Sequence, residues 1–419
     1  MILQTQCCIV GGGPAGMVLG WLLARSGVEV VVLEKHGDFF RDFRGDTVHP
    51  STLELMHELG VLEEFLQLPH TRMDRLDLDI LGERVAGPDF RTISTRCKFI
   101  ALMPQWDFLD FVKRQASRYP SFRLIMEAQV TELVRDGERV TGALAQTATG
   151  PLEIRADLTI GADGRTSVVR ARAALPVRDL GAPIDVLWMR IPRVPSDGDK
   201  VFGTFGHDRF LVMLNRGDYW QCAYPIAKGR LAALQQRGLP ALRSDLRVLA
   251  PFLGDRVDAI ASWEDLKLLN VIVDRLTRWW IPGLLCIGDA AHAMSPVGGV
   301  GINLAIQDAV AAANRLSKPL FDRTLTTKDL AAVQARRERA TRQIQALQIQ
   351  FHERVLAKVL AGRGERVLRV IRFFLPRIKL LRSAMAQRLG VGQLEHVETA
   401  EQAPQVHPAG PVANHAHVS

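Results

Sequence analysis

One short stretch limits the folds open to this chain more than any other. It is Gly11-Gly12-Gly13-Pro14-Ala15-Gly16, set between the apolar run Cys7–Val10 and a helix-like segment closed by Gly27. A second apolar run, Val28 to Leu33, follows and ends on Glu34. Strand, turn, helix and strand in this order predict a parallel β-α-β unit. Glycines at 11, 13 and 16 allow a tight turn, close approach of a ligand to the main chain, and close packing of helix on strand. The helix opening at Pro14-Ala15 turns free N–H groups and its positive dipole end toward that ligand, which favours a pyrophosphate. Glu34 stands 18 residues beyond Gly16, where a carboxylate accepts from ribose hydroxyls, and Lys35 is its neighbour. A glycine triad alone is a weak signal. In register with both strands, the helix and the acid, it points to dinucleotide binding.

The same pattern returns twice. Leu158-Thr159-Ile160 leads into Gly161-Ala162-Asp163-Gly164-Arg165-Thr166-Ser167 and a helix-like run from Val168 to Ala173. Asp163 reads there as a ligand contact or as a helix cap. Leu284 to Ile287 leads into Gly288-Asp289-Ala290-Ala291-His292, then Ser295-Pro296-Val297-Gly298-Gly299-Val300-Gly301-Ile302-Asn303, ahead of a helix-like Leu304 to Leu316. Four glycines in this last loop let a flat or anionic ligand approach the backbone. One junction serves a dinucleotide phosphate; three imply a long cofactor held along its length. Between them, Arg44 is placed to clamp an anion or to sit in solvent. Ser51 or Thr52 is expected to cap a helix from Thr52 to Gln67, and Gln105-Trp106 opens another, Asp107 to Arg118.

At 419 residues the chain calls for two domains or one with a large insertion. Its five cysteines are scattered and lie mostly in apolar runs, which predicts buried thiols in a reducing compartment and neither disulfides nor a metal site. The N-terminus has no signal-peptide pattern, and no apolar run approaches the roughly 18 residues of a membrane span. A cytoplasmic location is expected. Of the net charge of +8, nearly all lies between Arg363 and Gly390, with eight Lys or Arg and the single acid Glu365. A chain near neutral elsewhere is not a nucleic-acid binder.

Away from the junctions the periodicity changes. Met73 to Phe99 alternates, as in Leu76-Asp77-Leu78-Asp79-Ile80-Leu81, and reads as strands of a different sheet. Arg123–Val134, Val140–Ala145 and Leu152–Ile154 read as a meander. Aromatic and β-branched runs from Asp185 to Pro225 read as an antiparallel sheet, followed by a helix-rich Arg230 to Leu253. Trp188, Met213, Trp220 and Tyr224 are candidates to line a substrate pocket, against the plainer reading of sheet core. An apolar stripe, Ile344, Leu347, Phe351, Val355 and Val359, continues as Val367, Val370, Phe374, Ile378 and Leu381, interrupted at Pro376. Arg363, Arg366, Arg369 and Arg372 recur at every third position, so residues 363–390 either dock on the protein or meet an anionic membrane surface peripherally.

Taken as a set, GGGPAG at 11–16 with Glu34, GADGRTSVVR at 161–170 and GDAAHAMSPVGGVGINLAIQD at 288–308 resemble the class A FAD-dependent aromatic hydroxylases. These are single-component flavoprotein monooxygenases related to 4-hydroxybenzoate hydroxylase and the ubiquinone-pathway hydroxylases. The segment from Leu389 to Val397 is similar to the close of antibiotic- and quinone-type members. The resemblance implies an α/β fold. A Rossmann-like FAD-binding domain of GR2 type would span residues 1–72, 98–180 and 270–335, with an interleaved antiparallel β-sheet substrate domain over 73–97 and 181–269. A C-terminal helical segment over 336–397 and an unstructured tail over 398–419 complete it. The resemblance also implies that Gly11, Gly13 and Gly16 hold the FAD pyrophosphate and Glu34 its ribose. Asp163 handles FAD and NAD(P)H, Gly288-Asp289 meets the ribityl–phosphate region, and Pro296, Gly299, Gly301, Ile302 and Asn303 run beside the isoalloxazine. Arg44 and Gln105 match further polar contacts.

The implied activity takes hydride from transiently bound NAD(P)H, then uses O2 to form a flavin C4a-hydroperoxide that hydroxylates a small aromatic or polyketide-like ring. A helix starting near Gly301 would turn its positive end to the flavin's N1–C2 oxygen edge, which is anionic when reduced. No metal or protein nucleophile is needed; His49, His292 and the Pro296 loop are the candidates for proton handling. A reductase or dehydrogenase of prenyl or quinone substrates, a flavin-dependent halogenase and a non-catalytic flavin-binding partner are the rival readings. Disulfide reductases are disfavoured by the lack of a second glycine fingerprint and of closely spaced cysteines.

Overall fold

The structure is a computed structural model and describes residues 1–40, 47–198 and 203–401. Strand β1 (Ile2–Val10), helix α1 (Pro14–Arg25) and strand β2 (Val30–Leu33) form the expected unit, with Cys7–Val10 paired in parallel to Val30–Leu33. β3 (Thr47–Val48) leads to two helices, α2 (Pro50–Glu58) and α3 (Leu62–Phe65), where one was expected to reach Gln67. Gly60 at φ +74° makes the break. Neither Ser51 nor Thr52 caps α2. His49 takes that place with Pro50 in the first turn, and Thr52 Oγ1 donates instead to Asn303.

β4 (Thr71–Met73), β5 (Leu78–Ile80), β6 (Glu83–Val85) and β7 (Ile100–Leu102) are short, and β7 pairs with both β3 and β4. After α4 (Gln105–Ala116), the strand expected over Arg123–Val134 divides in two. β8 (Phe122–Ile125) joins β2 in parallel, while β9 (Gln129–Asp136) leaves for the meander, with Glu127 between them at φ +53°. β10 (Arg139–Thr147) precedes β11 (Gly150–Gly161), a single strand where separate ones were expected at 152–154 and 158–160. Its early residues pair with β10, and its late ones with a strand more than a hundred positions on.

α5 (Val168–Arg172) and β12 (Val177–Asp179) lead to the second large sheet. That sheet contains β13 (Ile184–Pro192), β14 (Gly203–Phe205), β15 (Phe210–Asn215) and β16 (Tyr219–Ala227), and it is backed by α6 (Leu231–Arg237) and α7 (Leu239–Leu249). With β17 (Lys267–Leu269) the order is β17-β13-β16-β15-β14-β5-β6, antiparallel except where β14 meets β5. β18 (Asp274–Leu276) pairs with β12; β19 (Trp280–Ile281) and β20 (Leu284–Cys286) return to the first sheet. Its order is β19-β20-β11-β1-β2-β8, with β10 and β9 branching from β11. Val10 pairs with Leu33 and with Gly161, and Gly161 with Cys286, so four parallel strands end level. The loops that follow them leave at one edge, where ligands bind in such sheets.

The chain then runs through α8 (Gly301–Phe321), which packs on α1, and α9 (Thr327–Phe351), which passes through a π turn at His352–Leu356 into α10 (Ala357–Leu360). α11 (Glu365–Phe374) and α12 (Lys379–Gly390) flank Pro376. The expected apolar stripe is only partly buried. Val355 and Val359 are inside, but Leu347, Val370, Phe374, Ile378 and Leu381 are exposed. What α9 buries is mostly polar, including Arg337, Thr341, Gln345 and Gln348, with His352 just beyond. The unstructured tail was expected from 398. Arg25 nevertheless donates to Thr399 O at 3.0 Å and pairs with Glu401 at 3.3 Å, and residues 402–419 lie outside the described residues.

Candidate active site

The three glycines of the first motif have different surroundings. Gly11 leaves β1 at φ +109°, and a Cβ there would lie 2.4 Å from Ala162 O; one on Gly16 would lie 2.0 Å from Gly11 O. These two close the turn and seat the 161–163 loop against it. Gly13 faces open space, with no protein atom within 4 Å of its Cβ position. It is the cap residue of α1, which has neither a side-chain cap nor an acid in its first turn. The end of α1 therefore offers its N–H groups to an anion. Buried Glu34 accepts from Gly12 N at 2.9 Å and from His36 N at 3.1 Å, which fixes a carboxylate beside the turn. Lys35 next to it is exposed.

The third junction locks into the first. Gly288, at φ +58°, lies where a Cβ would meet Ala305 of α8 at 3.0 Å and Ala15 of α1 at 3.2 Å. Asp289 pairs with Arg165 of the second junction at 3.5 Å. Asp163 serves α5, accepting from Ser167 Oγ, from Val168 N at 2.7 Å and from Val169 N at 3.2 Å. Burial pushes its carboxyl above the ordinary range despite these bonds. Of its two readings, the helix-end role is the one these bonds make. Further along, Gly299 sits at φ +63°, and a Cβ there would strike Thr47 Oγ1 at 2.5 Å. α8 then begins at Gly301 with no side-chain cap, no acid in its first turn and nothing within 4 Å of the Gly301 Cβ position. A second helix end faces open space, with half-buried Ile302 in its first turn. The Asn303 side chain is used within the protein: Oδ1 accepts from His49 N at 2.9 Å and Thr52 Oγ1 at 2.7 Å, and Nδ2 donates to Thr47 O at 3.1 Å.

Behind this loop stands a buried polar network. Asp308 accepts from Gly288 N at 3.1 Å and Arg337 Nε at 2.8 Å, and His292 Nε2 lies 2.6 Å from it. Burial alone would raise the Asp308 carboxyl; His292 and Arg337 hold it below its ordinary value. Arg337 also donates to Glu395 at 3.0 Å. Gln345 donates to Ala293 O at 3.0 Å; Gln348 donates to Ser295 O at 3.0 Å and Val297 O at 2.9 Å, and accepts from Ser295 N at 3.2 Å. His352 Nε2 is 2.8 Å from Ser295 Oγ. Reading α9 for apolar residues alone overlooked this face, although Arg337, Thr341, Gln345, Gln348 and His352 recur at spacings of three and four. The two histidines proposed for proton handling are both buried. His292 is tied to Asp308, and His49 Nδ1 meets Leu389 O at 2.7 Å, with burial pushing His49 down to about 4.

A family described as an FAD binding domain matches residues 4–346. This chain belongs to that family. FAD is its cofactor, and the chain is an FAD-dependent monooxygenase. It is 35% identical to 6-methylpretetramide 4-monooxygenase of Streptomyces rimosus over 82% of its own length and 84% of that relative's. An uncharacterized aromatic compound monooxygenase of Bacillus subtilis is 26% identical, and the chain spans 61% of it. Among solved structures, p-nitrophenol 4-monooxygenase from Pseudomonas putida superposes with a TM-score of 0.75 at 18% identity, covering 94% of this chain and 99% of that one. A probable FAD-dependent monooxygenase from Pseudomonas aeruginosa gives 0.73 at 21% identity, over 88% and 100%. These likenesses show the fold. The open faces over Gly13 and Gly301, the two uncapped helix ends and the buried Glu34 fit a long dinucleotide with a ring at one end.

The monooxygenase's second sheet has two faces. Leu187, Met189, Met213, Trp220, Cys222 and Tyr224 pack into the core under α6 and α7. The alternate residues Val186, Trp188, Val212 and Ala223 share a cluster with Val297 of the glycine loop. Of the four pocket candidates, only Trp188 belongs to the loop-facing side. Tyr224 OH donates to Asp245 at 3.2 Å and Trp220 Nε1 to Asp197 at 2.9 Å, both under the helices. Met213 and Trp220 do border a cavity of about 260 Å³, together with Met73, Leu102, Asn215 and a charged lining of Arg72, Asp74, Arg75, Asp77 and Arg84. Leu102 pairs across β7 with Thr47, which donates to Gly299 O at 3.0 Å, so this cavity lies one strand from the loop. Gln221, between Trp220 and Cys222 on the strand, accepts from Arg216 Nε at 3.1 Å, and burial lowers Arg216 to about 10. A search for aromatic residues missed that polar pair. Gln105 is the half-buried first residue of α4, and Arg44 lies outside the described residues.

Proposed function

We propose that the chain uses NAD(P)H and O2 to hydroxylate an aromatic or polyketide-like ring. The observation that carries this reading is the pair of uncapped helix ends, at Gly13 of α1 and Gly301 of α8, both facing open space at the edge where four strands end. In this reading Gly11, Gly13, Pro14, Ala15 and Gly16 run beside the pyrophosphate, and Glu34 accepts from the ribose. Gly288 and Asp289 stand at the ribityl region, and the main chain of Pro296, Gly299, Gly301, Ile302 and Asn303 runs beside the ring. Arg44 and Gln105 add polar contacts, and Asp163 shapes the junction where NAD(P)H approaches. Residues 1–72, 98–180 and 270–335 then act as the FAD domain, and 73–97 with 181–269 as the substrate domain.

Bound FAD supplies the hydride acceptance and the activation of O2. The chain's part is to bind, orient and exclude water. N–H groups of Gly301 and Ile302, at the uncapped end of α8, would lend positive potential to a flavin ring held there, favouring its anionic reduced form. In this reading Trp188, on the loop-facing side of the second sheet, and the cavity bordered by Leu102, Met213 and Trp220 are the two candidate contacts for a ring substrate. The name of the Streptomyces relative supports a ring of polyketide type, and that of the Pseudomonas putida structure a phenol. Five buried, unpaired cysteines support a reducing, cytoplasmic setting. The test is turnover of FAD-loaded protein with NADH or NADPH on phenols and polycyclic aromatics under isotope-labelled O2. Products one labelled oxygen heavier are expected. Pyridine-nucleotide oxidation with a reduced, unoxygenated product would favour the quinone-reductase reading, and no oxidation with any substrate would favour a binding partner.

A further inference from the structure

Helices α11 and α12 carry a surface that the FAD site does not use. α11 docks through Leu368, and just past its end through Leu375, in a cluster with Ile80, Val85 and Phe205 of the second sheet. Arg372 secures it to Glu83 at 2.8 Å. Val370, Phe373 and Phe374 point elsewhere, and Ile378, Leu380 and Leu381 follow; all six are between 41% and 80% exposed. They are six of the 16 large exposed hydrophobics among the described residues, gathered in twelve consecutive positions. Single exposed apolar residues need no explanation, but a cluster does. Around it stand Arg363, Arg366, Arg369, Arg377, Lys379 and Arg382, against Glu365, which Arg369 already engages, and Glu83, which Arg372 engages. The Arg377 guanidinium lies 4.1 Å from the centre of the Phe373 ring.

We propose that this corner docks on an anionic lipid surface, with the six apolar side chains at the acyl boundary and the basic ones at the phosphates. A second copy of the chain would bring like charges together. The core of a protein–protein interface is depleted in charge, whereas basic residues here interleave with the apolar ones. Phe and Leu on one side with Arg and Lys beside them is the composition of an interfacial helix, and each basic residue gains from the surface potential. No helix among the described residues is long and apolar enough to cross a membrane, so the contact lies in the plane of the surface. α12 connects that corner to the FAD site. At its other end Leu389 O meets His49 Nδ1, and a Cβ on Gly298 would lie 3.0 Å from the Leu389 side chain. This surface is independent of the substrate assignment, and its test needs no turnover.

The experiment is flotation of the full, FAD-loaded chain with vesicles of phosphatidylcholine alone or mixed with phosphatidylglycerol, at low and high salt. Flotation with the anionic vesicles, weakened by salt, is expected. The pairs Phe373→Ser with Leu380→Ser, and Arg366→Gln with Lys379→Gln, should each lower partitioning by about tenfold or more while FAD content stays at the wild-type level. Absence of flotation on either vesicle, or flotation that neither pair alters, overturns the proposal. Two further results also overturn it: self-association lost in the Phe373→Ser, Leu380→Ser variant without vesicle binding, and tight binding of polyglutamate without vesicle binding.

Discussion

His49, at the start of α2, and His352, in the π turn that follows α9, are buried against Asn303 and Ser295, and each is pushed down to about 4 from an ordinary value of 6.5 by burial. Between those values the unfolded chain binds protons that the folded chain does not. Stability therefore rises with pH across that window: the contribution is present above about 6.5 and is lost as pH falls toward about 4, by up to about 3 kcal/mol per histidine. Urea midpoints measured from pH 7 to pH 4 should fall, and His352→Gln, which can still meet Ser295, should flatten the slope. An unchanged slope would contradict neutral burial of His352. Individual residues were legible in the sequence where their reason is local. Gly11, Gly13, Gly16 and Glu34 belong to one continuous unit, and spacing alone located them. Asn303 reads from sequence as a residue beside the ring; it lies in the first turn of α8, and its side chain serves His49 and Thr52, some 250 positions away, which no local pattern encodes.

α9 shows the same limit at the scale of an element. Its helical period was readable, yet its apolar residues mark only part of what it buries: Ile344 and Phe351 pack at the rim of apolar clusters and Leu347 is exposed, while the most buried face carries amides, Arg337 and Thr341. Those amides replace missing hydrogen bonds of an irregular loop, whose main chain cannot satisfy itself. Gln348 makes three bonds to Ser295 and Val297. Gln348→Ala should leave those groups unpaired and cost about 2–4 kcal/mol of stability. It should weaken FAD binding more than it lowers helix content, as read by flavin fluorescence and circular dichroism. Gln348→Glu keeps the acceptor oxygen but replaces the amide donor with a second acceptor, so it should rescue little. In β13, β15 and β16 the strands were legible but their facing was not, since period two leaves open which set meets the loop. Trp188 and Met213 were chosen together although they lie on opposite faces.

For the molecule as a whole, the parallel strands bury both faces and read as apolar runs, so the first sheet was recoverable from sequence. The pairing of β14 with β5 joins segments more than a hundred positions apart and could not be read from either. The central claim concerns what the level strand ends create: a cradle in which some glycines serve the fold and others serve FAD. Gly11→Ala places a Cβ 2.4 Å from Ala162 O and should destabilise the apoprotein itself, by about 1–3 kcal/mol. Gly13→Ala meets no protein atom within 4 Å, so its apoprotein should melt like the wild type. The most direct measurement is therefore FAD affinity of Gly13→Ala by titration of the apoprotein, beside its melting temperature. An unchanged melting temperature with FAD affinity reduced about tenfold or more is the predicted result; wild-type affinity would contradict a cofactor lying over the end of α1.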